Sequence, residues 1–76
     1  MTRADYPITG AEATPGWYAA HNHDRPEVAF YKDSEGGYTR AHDGASYRDF
    51  ANLPCRPIPA AEARAIAENI RKAYGF

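Results

Sequence analysis

Cysteine is nearly absent from this chain of 76 residues, in which Cys55 is the single representative. One cysteine cannot form an internal disulfide, so the covalent staple of many small secreted domains is excluded. Long hydrophobic runs are also missing, because no stretch approaches the ~20 apolar residues that span a bilayer. Residues 1–13 lack the apolar core of a signal peptide. We therefore predict a soluble, cytoplasmic protein that makes no use of a membrane.

Neither sign of charge is in clear excess. Nine Lys and Arg residues oppose ten Asp and Glu residues, which leaves a formal net charge of -1. Proteins that derive their affinity from neutralising phosphates carry a basic surplus, and this chain has none. A domain of this size removes only about 60% of its unfolded surface from water, which leaves little room for an enclosed active site. We predict that the protein is not an enzyme and holds no cofactor.

Three short segments rich in aromatic residues lie at 16–22, 27–33 and 38–42, and clusters of turn-forming residues separate them. Gly36 and Gly37 supply the positive φ angles that a chain reversal between strands needs. Asp43 followed by Gly44 is a second hairpin signal. The pattern predicts three consecutive antiparallel strands, with residues 1–15 as a partly ordered N-terminal arm and residues 16–76 as a single domain.

Residues 45–59 are harder to assign. Residues 45–47 suit a fourth, short edge strand, but Ser46 and Asp49 have the spacing of a helix capping box, so a single helical turn is the alternative. Pro54, Pro57 and Pro59 then hold the chain extended, since proline also keeps the preceding residue out of helical space. We predict a stiff crossing over the sheet at 54–59.

The final segment, 59–74, is predicted to be an α-helix. Pro59 suits the first turn and Gly75 suits a stop signal. Apolar residues recur at helical spacing and form one face of the helix: Ala63, Ile66, Ala67, Ile70, Ala73 and Tyr74. The fold class is therefore α+β, a three- or four-stranded antiparallel meander packed on one C-terminal α-helix (βββα).

The face of the sheet that the helix covers depends on the register of the last two strands. A four-residue loop at 34–37 sets Phe30 opposite Ala41, and Val28 and Phe30 then point at the helix residues Ile66 and Ile70. A five-residue loop mixes the faces, because a slip of one residue turns a strand over. We prefer the shorter loop, which does not bury Arg40. It predicts an outer face with Tyr31, Tyr38, Arg40 and His42. The same reasoning applied to the first strand places Trp17 and Ala19 inward and adds Tyr18 to the outer face.

This outer face is our candidate partner-binding surface. Tyrosine and arginine contribute large, amphipathic contact areas and are enriched among the residues that dominate protein interfaces. The leading hypothesis is a small non-enzymatic protein-binding module, an inhibitor or adaptor that docks a sheet face or an edge strand on a larger protein. Compact phage-encoded antagonists of host defence, such as anti-CRISPR proteins, share this general size and composition. A homodimer is also compatible with the sequence.

Two other functions are weaker hypotheses. A βββα module can lay its strands on nucleic acid, but residues 27–44 carry a net acidic charge instead of a basic stripe. His21, His23 and His42 lie near predicted strand ends and form a possible zinc-ligand set, although a role as solvated turn residues explains them better. Cys55, beside Arg56 and two prolines, is read as a small buried group and not as a nucleophile.

Overall fold

The computed structural model describes residues 5–21 and 27–74. In this part of the chain, five strands form one antiparallel sheet with the order β1-β5-β2-β3-β4. The elements in chain order are β1 (Ile8–Thr9), the 3-10 helix η1 (Gly10–Glu12), β2 (Gly16–Ala20), β3 (Val28–Lys32), β4 (Tyr38–Arg40), the 3-10 helix η2 (Arg48–Asn52), β5 (Pro54–Pro57) and α1 (Ala60–Tyr74). The α+β class with one C-terminal helix is confirmed, but the predicted count of three or four strands is too low.

The additional strands, β1 and β5, lie in segments predicted to be an arm and a crossing. The segment that contains Pro54 and Pro57 is extended, as predicted, and it inserts between β1 and β2. Proline cannot donate a ladder hydrogen bond, but the two prolines occupy the first and last positions of β5. Cys55 and Arg56 between them keep their N–H groups, so this short strand can pair on both sides.

Residues 45–53 combine features of both predicted alternatives. Ser46 forms an isolated bridge with Thr39 at the edge of β4, and the 3-10 helix η2 follows. The expected capping box at Ser46 does not form, because Tyr47 is the N-cap residue of η2 and makes no side-chain cap hydrogen bond.

The register between β3 and β4 differs from the prediction. Phe30 pairs with Arg40 and Lys32 pairs with Tyr38, so the loop has five residues, 33–37. The reason is the side chain of Asp33, whose Oδ1 accepts hydrogen bonds from the backbone N–H of Glu35 at 2.9 Å and of Gly37 at 2.7 Å. The Asp33 N–H also donates to the Gly37 carbonyl, at 3.0 Å. These bonds stabilise a five-residue reversal, so that Phe30 shares a face with Arg40 and not, as predicted, with Ala41.

The sheet is covered on both faces. Helix α1 packs on a face of small side chains, and the buried residues there are Ala19, Ala29, Ile58 and Ala63. The other face carries the larger aromatic core beneath η1 and η2, made of Ala13, Tyr18, Ala20, Phe30, Phe50 and Cys55. The Phe30 ring stacks on that of Phe50, with ring centres 4.4 Å apart. The prediction that Val28 and Phe30 point at Ile66 and Ile70 is therefore wrong, because Val28 and Phe30 belong to the opposite face.

The small residues explain which face the helix takes. Ala19 and Ala29 pair directly across β2 and β3, are almost completely buried, and let the helix backbone come close to the sheet. Helix α1 begins one residue after Pro59, whose carbonyl accepts hydrogen bonds from the Glu62 and Ala63 N–H groups at 3.1 Å. Its buried residues are Ala63, Ala67 and Ile70. The predicted stop at Gly75 lies outside the described residues. Within the described residues, no helix has both the length and the apolar character needed to cross a bilayer.

Candidate functional site

The five predicted partner-binding residues do not share one face of the sheet. Tyr18 is 5% exposed and belongs to the aromatic core, where its hydroxyl donates to the Thr14 carbonyl at 2.6 Å. Tyr38 is half-buried beside the rings of Phe30 and Phe50. The placement of Tyr18 and Tyr38 on a solvent-facing surface is thus wrong. They form part of the core because both lie on the face of the sheet away from α1, and η1 and η2 cover that face.

Arg40 and His42 lie at and just beyond the end of β4. The Arg40 guanidinium pairs with Asp43 through a 2.6 Å contact between Nη2 and Oδ2, and it lies 5.4 Å from the ring centre of Tyr47. His42 is 9% exposed, and its carbonyl accepts a hydrogen bond from Arg71 Nε at 3.1 Å. Burial lowers the pKa of His42 below its ordinary value. The assignment of His42 to an exposed surface is therefore wrong, because residues 41–43 form a turn beneath the end of α1.

Tyr31 is the predicted site residue that the fold leaves most accessible, with 37% of its surface exposed. It lies on the helix-bearing face, where it pairs across strands with Trp17 on one side and Thr39 on the other. The Tyr31 and Trp17 rings meet edge to face, with centres 5.0 Å apart. Trp17 is half-buried, because it packs against the helix-side cluster of Ala19, Ala29, Ile58 and Ala63. We call Trp17, Tyr31 and Thr39 the aromatic corner.

A polar recess lies at the other end of the same strands. It has a volume of about 460 Å³ and is lined by Asp5, Tyr6, His21, Glu27 and Arg56. His21 directly follows β2, Glu27 directly precedes β3, and Arg56 belongs to β5, so the antiparallel pairing brings the three together. Tyr6 closes one side, with its ring centre 5.4 Å from that of His21.

Arg56 is the centre of a charge network in this recess. Its guanidinium forms a two-point contact with the Glu27 carboxylate, at 2.8 Å from both Nε and Nη2, and Nη2 also donates to Glu62 at 2.8 Å. The Tyr6 hydroxyl donates to Glu27 Oε2 at 2.8 Å. Hydrogen bonding to Arg56 lowers the pKa of Glu27, and the two carboxylates raise the pKa of Arg56. Burial, followed by the Glu27 contact, raises the pKa of Tyr6. At neutral pH Glu27 is thus ionised, Arg56 is charged and the Tyr6 phenol is neutral.

Sequence reasoning missed this recess and the role of Trp17 in the aromatic corner. The Glu27–Arg56 pair depends on β5 being a strand next to β2, and the prolines of that segment favoured a crossing. No local pattern links two residues so far apart in the chain. The sequence did contain a signal for Trp17. If the first two strands pair as a hairpin around the turn-forming residues 22–26, Trp17 stands opposite Tyr31.

The histidines and the cysteine do not form a reactive centre among the described residues. His21 packs against Tyr6, whereas His42 lies next to Asp43 and Arg71, and His23 lies outside the described residues. In residues 5–21 and 27–74, no three His, Cys, Asp or Glu side chains come close enough to hold a metal ion. Cys55 is completely buried, and burial raises the pKa of its thiol to about 11. A thiol in this state is a poor nucleophile.

Both edges of the sheet have outward hydrogen-bonding groups engaged by the chain itself, at two positions on β4 and at one on β1. On β4, the Arg40 N–H donates to the Ala45 carbonyl and the Tyr38 carbonyl accepts from the Tyr47 N–H, at 2.8 and 3.1 Å. On β1, the Thr9 N–H donates to the Glu12 carboxylate at 2.9 Å. Segments of the chain itself thus occupy the positions that an added strand would need.

Comparison with known proteins gives no relatives. No protein-family model matches the chain, and neither the curated proteins nor the solved structures contain a match.

Proposed function

We propose that this protein is a small non-enzymatic protein-binding module, an inhibitor or adaptor that docks the aromatic corner on a larger protein. The observation that supports the proposal is the pair Trp17 and Tyr31, whose rings pack edge to face and of which Tyr31 is exposed and Trp17 half-buried. Rigid aromatic side chains with a polar end are the residue types that most often dominate binding energy.

The proposed docking surface thus differs from the predicted one: it lies on the helix-bearing face of the sheet, and Tyr31 is the residue that both surfaces share. Thr39 is exposed at the edge of the corner, and Trp17 and Ile66 of the helix both pack against the buried cluster of Ala19, Ala29, Ile58 and Ala63. The aromatic area thus has a polar rim and an apolar wall, an arrangement typical of interface centres. The occupied sheet edges favour docking by this face over the addition of a strand. An antagonist of host defence carried by a phage is one setting in which such a module acts.

A photo-crosslinking side chain in place of Tyr31 tests the proposal in cells of the source organism. Tyr47 provides the matched control, because it is a tyrosine of similar exposure, 40% against 37%, that lies beside η2. We expect one protein to be captured from position 31 and not from position 47.

Purified partner then gives the quantitative test. Tyr31→Ala is expected to weaken binding about thirtyfold, the loss typical of a hot-spot aromatic residue, and Tyr47→Ala less than about threefold. The melting temperature checks that both variants remain folded. Equal losses for the two variants, or capture from position 47 alone, would contradict the proposed surface. Binding to nucleic acid that falls steeply with added salt would support the nucleic-acid alternative instead.

A further inference from the structure

We propose that the Asp43–Gly44 dipeptide is a site of spontaneous backbone modification, the conversion of aspartate to isoaspartate, and that Arg40 restrains this reaction in the folded protein. Asp43 is the single aspartate or asparagine of the chain that a glycine follows. Because glycine has no Cβ, its nitrogen meets less hindrance in attacking the preceding side chain than that of any other residue. The inference goes beyond the proposed function and is independent of the aromatic corner.

The reaction consumes only the chain itself and water. The Gly44 nitrogen attacks Cγ of Asp43, so that an N–Cγ bond forms and the Cγ–OH bond breaks, and the hydroxyl leaves with the amide proton as water. Water then opens the succinimide ring at one of its two carbonyl carbons and gives aspartate or isoaspartate. Ring closure therefore needs a protonated carboxyl group, which carries the leaving group, and a backbone nitrogen that can turn towards Cγ.

The position of the dipeptide in the fold leaves room for the ring. Asp43 and Gly44 are both exposed and follow β4 in a turn, so water reaches them. Gly44 has a φ of 72°, and a Cβ atom built on it would meet open space among the described residues. A ring at this point would therefore displace no neighbouring element.

The Arg40 guanidinium acts on the leaving group. Its Nε and Nη2 donate to the two oxygens of the Asp43 carboxylate, at 3.1 and 2.6 Å, and the Ala45 N–H donates to Oδ1 at 3.0 Å. All three bonds favour the ionised carboxylate. The Ala45 N–H, with Arg40 acting in the same direction, accordingly lowers the pKa of Asp43. The protonated form that ring closure needs is thus rarer than in an unfolded chain.

The Arg40 backbone acts on the nucleophile. The Gly44 N–H donates to the Arg40 carbonyl at 2.9 Å, and the Arg40 N–H donates to the Ala45 carbonyl at 2.8 Å. The Gly44 nitrogen must give up its bond before it can turn towards Cγ of Asp43. Arg40 therefore holds both reacting groups apart, the carboxylate with its side chain and the amide with its carbonyl.

Isoaspartate at position 43 would disturb the turn beneath the end of α1. Its main chain runs through Cβ and Cγ and so gains one carbon atom before Gly44. The same turn presents the Ala41 and His42 carbonyls to the Arg71 guanidinium, at 3.4 and 3.1 Å. We expect the isomerised protein to lose this contact and to melt at a lower temperature than the parent.

Storage of the purified full chain near neutral pH tests the inference. Peptide mapping, with enzymatic methylation of isoaspartate, measures the product at each aspartate. We expect isoaspartate to accumulate at position 43 at least about fivefold more slowly in the folded protein than in guanidinium chloride, since a lower pKa makes the protonated carboxyl rarer. Arg40→Gln should accelerate the reaction of the folded protein about threefold, because a neutral amide stabilises the carboxylate less.

Two controls separate this role of Arg40 from a general loss of structure. Arg48→Gln removes an exposed arginine of η2 and should leave the rate at position 43 unchanged. Asp49, also on η2, is the internal reference, because partial unfolding of Arg40→Gln would raise isoaspartate there too. The pH profile is a further readout: on acidification, the rate at position 43 should begin to rise at a higher pH in Arg40→Gln than in the parent.

Four results would overturn the inference. They are the absence of isoaspartate at position 43 in the unfolded chain, equal rates in the folded and unfolded chains, equal rates in Arg40→Gln and the parent, and an acceleration in Arg40→Gln that Asp49 shares.

Discussion

At the scale of single residues, Gly10 is the position with the strictest requirement. A Cβ atom placed on it would lie 1.9 Å from the carbonyl oxygen of Phe50, a distance that no side chain can adopt. The Gly10 N–H also donates to the Leu53 carbonyl at 3.2 Å. This contact brings η1 against η2, and the two segments together close the aromatic core.

Substitution of Gly10 should therefore separate the two 3-10 helices. We expect Gly10→Ala to reduce the free energy of unfolding by about 3 kcal/mol, since backbone and not a flexible side chain must move. Urea denaturation followed by Trp17 fluorescence measures the change. Gly36→Ala is the control. Gly36 has a φ of 84° with open space around it, so this substitution should reduce the free energy of unfolding only by the backbone strain of an alanine at positive φ, about 1 kcal/mol. A loss at Gly10 no larger than that at Gly36 would contradict the close approach.

At the scale of elements, the loop between β3 and β4 decides which residues of the two strands share a face of the sheet. The pattern of aromatic residues and glycines predicts both strands and the reversal between them, and the helix pattern predicts α1 to within one residue of its start. The register was not predictable in the same way, because four and five loop residues both satisfy the glycines. The side chain of Asp33 distinguishes them through bonds to Glu35 and Gly37 that alternation of apolar residues does not report.

The same limit explains the error in the candidate site. Tyr31 shares the helix-bearing face with Thr39, whereas Phe30 and Tyr38 lie on the opposite face, which η1 and η2 cover, so only part of the predicted set stays accessible. β5 was missed because two of its four residues are prolines, and it is paired only by strands distant in the chain. The Glu27–Arg56 contact depends on that pairing. Local propensity was therefore readable from the sequence, whereas the pairing of strands distant in the chain was not.

Removal of the Asp33 carboxylate should loosen this loop. In Asp33→Ala, the N–H groups of Glu35 and Gly37 lose their acceptor, and we expect the free energy of unfolding to fall by about 1–2 kcal/mol. Ser34→Ala is the control, since Ser34 is an exposed loop residue. Amide hydrogen exchange should increase at Gly37 more than at Ala19 in the Asp33 variant. Unchanged stability would mean that the Gly36 turn alone holds the register.

At the scale of the whole molecule, the sheet is a thin layer between a helix and two 3-10 segments. A core of this size rarely supplies more than roughly 3–5 kcal/mol, so polar contacts around its border contribute a sizeable share. Arg71 joins the end of α1 to the Ala41–His42 turn, and Arg56 joins β5 to Glu27 and to the start of α1. Lys32 Nζ ties β3 to η1 through the Gly10 carbonyl at 2.9 Å.

Three titratable groups near the border of the sheet, His42, Glu27 and Asp43, make the free energy of unfolding depend on pH, so that the protein loses stability on acidification. Burial lowers the pKa of His42; Asp43 opposes this, while Arg40 and Arg71 act in the same direction as burial. The folded state therefore binds the proton less readily than the unfolded state, whose histidine has a pKa of about 6.5. The contribution of His42 is complete above about pH 6.5 and disappears as the pH falls through its folded pKa. The pKa values of Glu27 and Asp43 are lowered too, so their contributions disappear at still lower pH.

We accordingly expect the free energy of unfolding to decline in two stages, first below about pH 6.5 and again below about pH 4.3. His42→Gln should flatten the first stage and leave the second, whereas Glu27→Gln should weaken the second and leave the first. The slope of the free energy against pH is the quantity to compare, because each substitution also changes the absolute stability. Urea denaturation at closely spaced pH values measures it. A first stage that persists in His42→Gln would assign the titration to another group and show that the turn beneath α1 does not hold His42 in its neutral form.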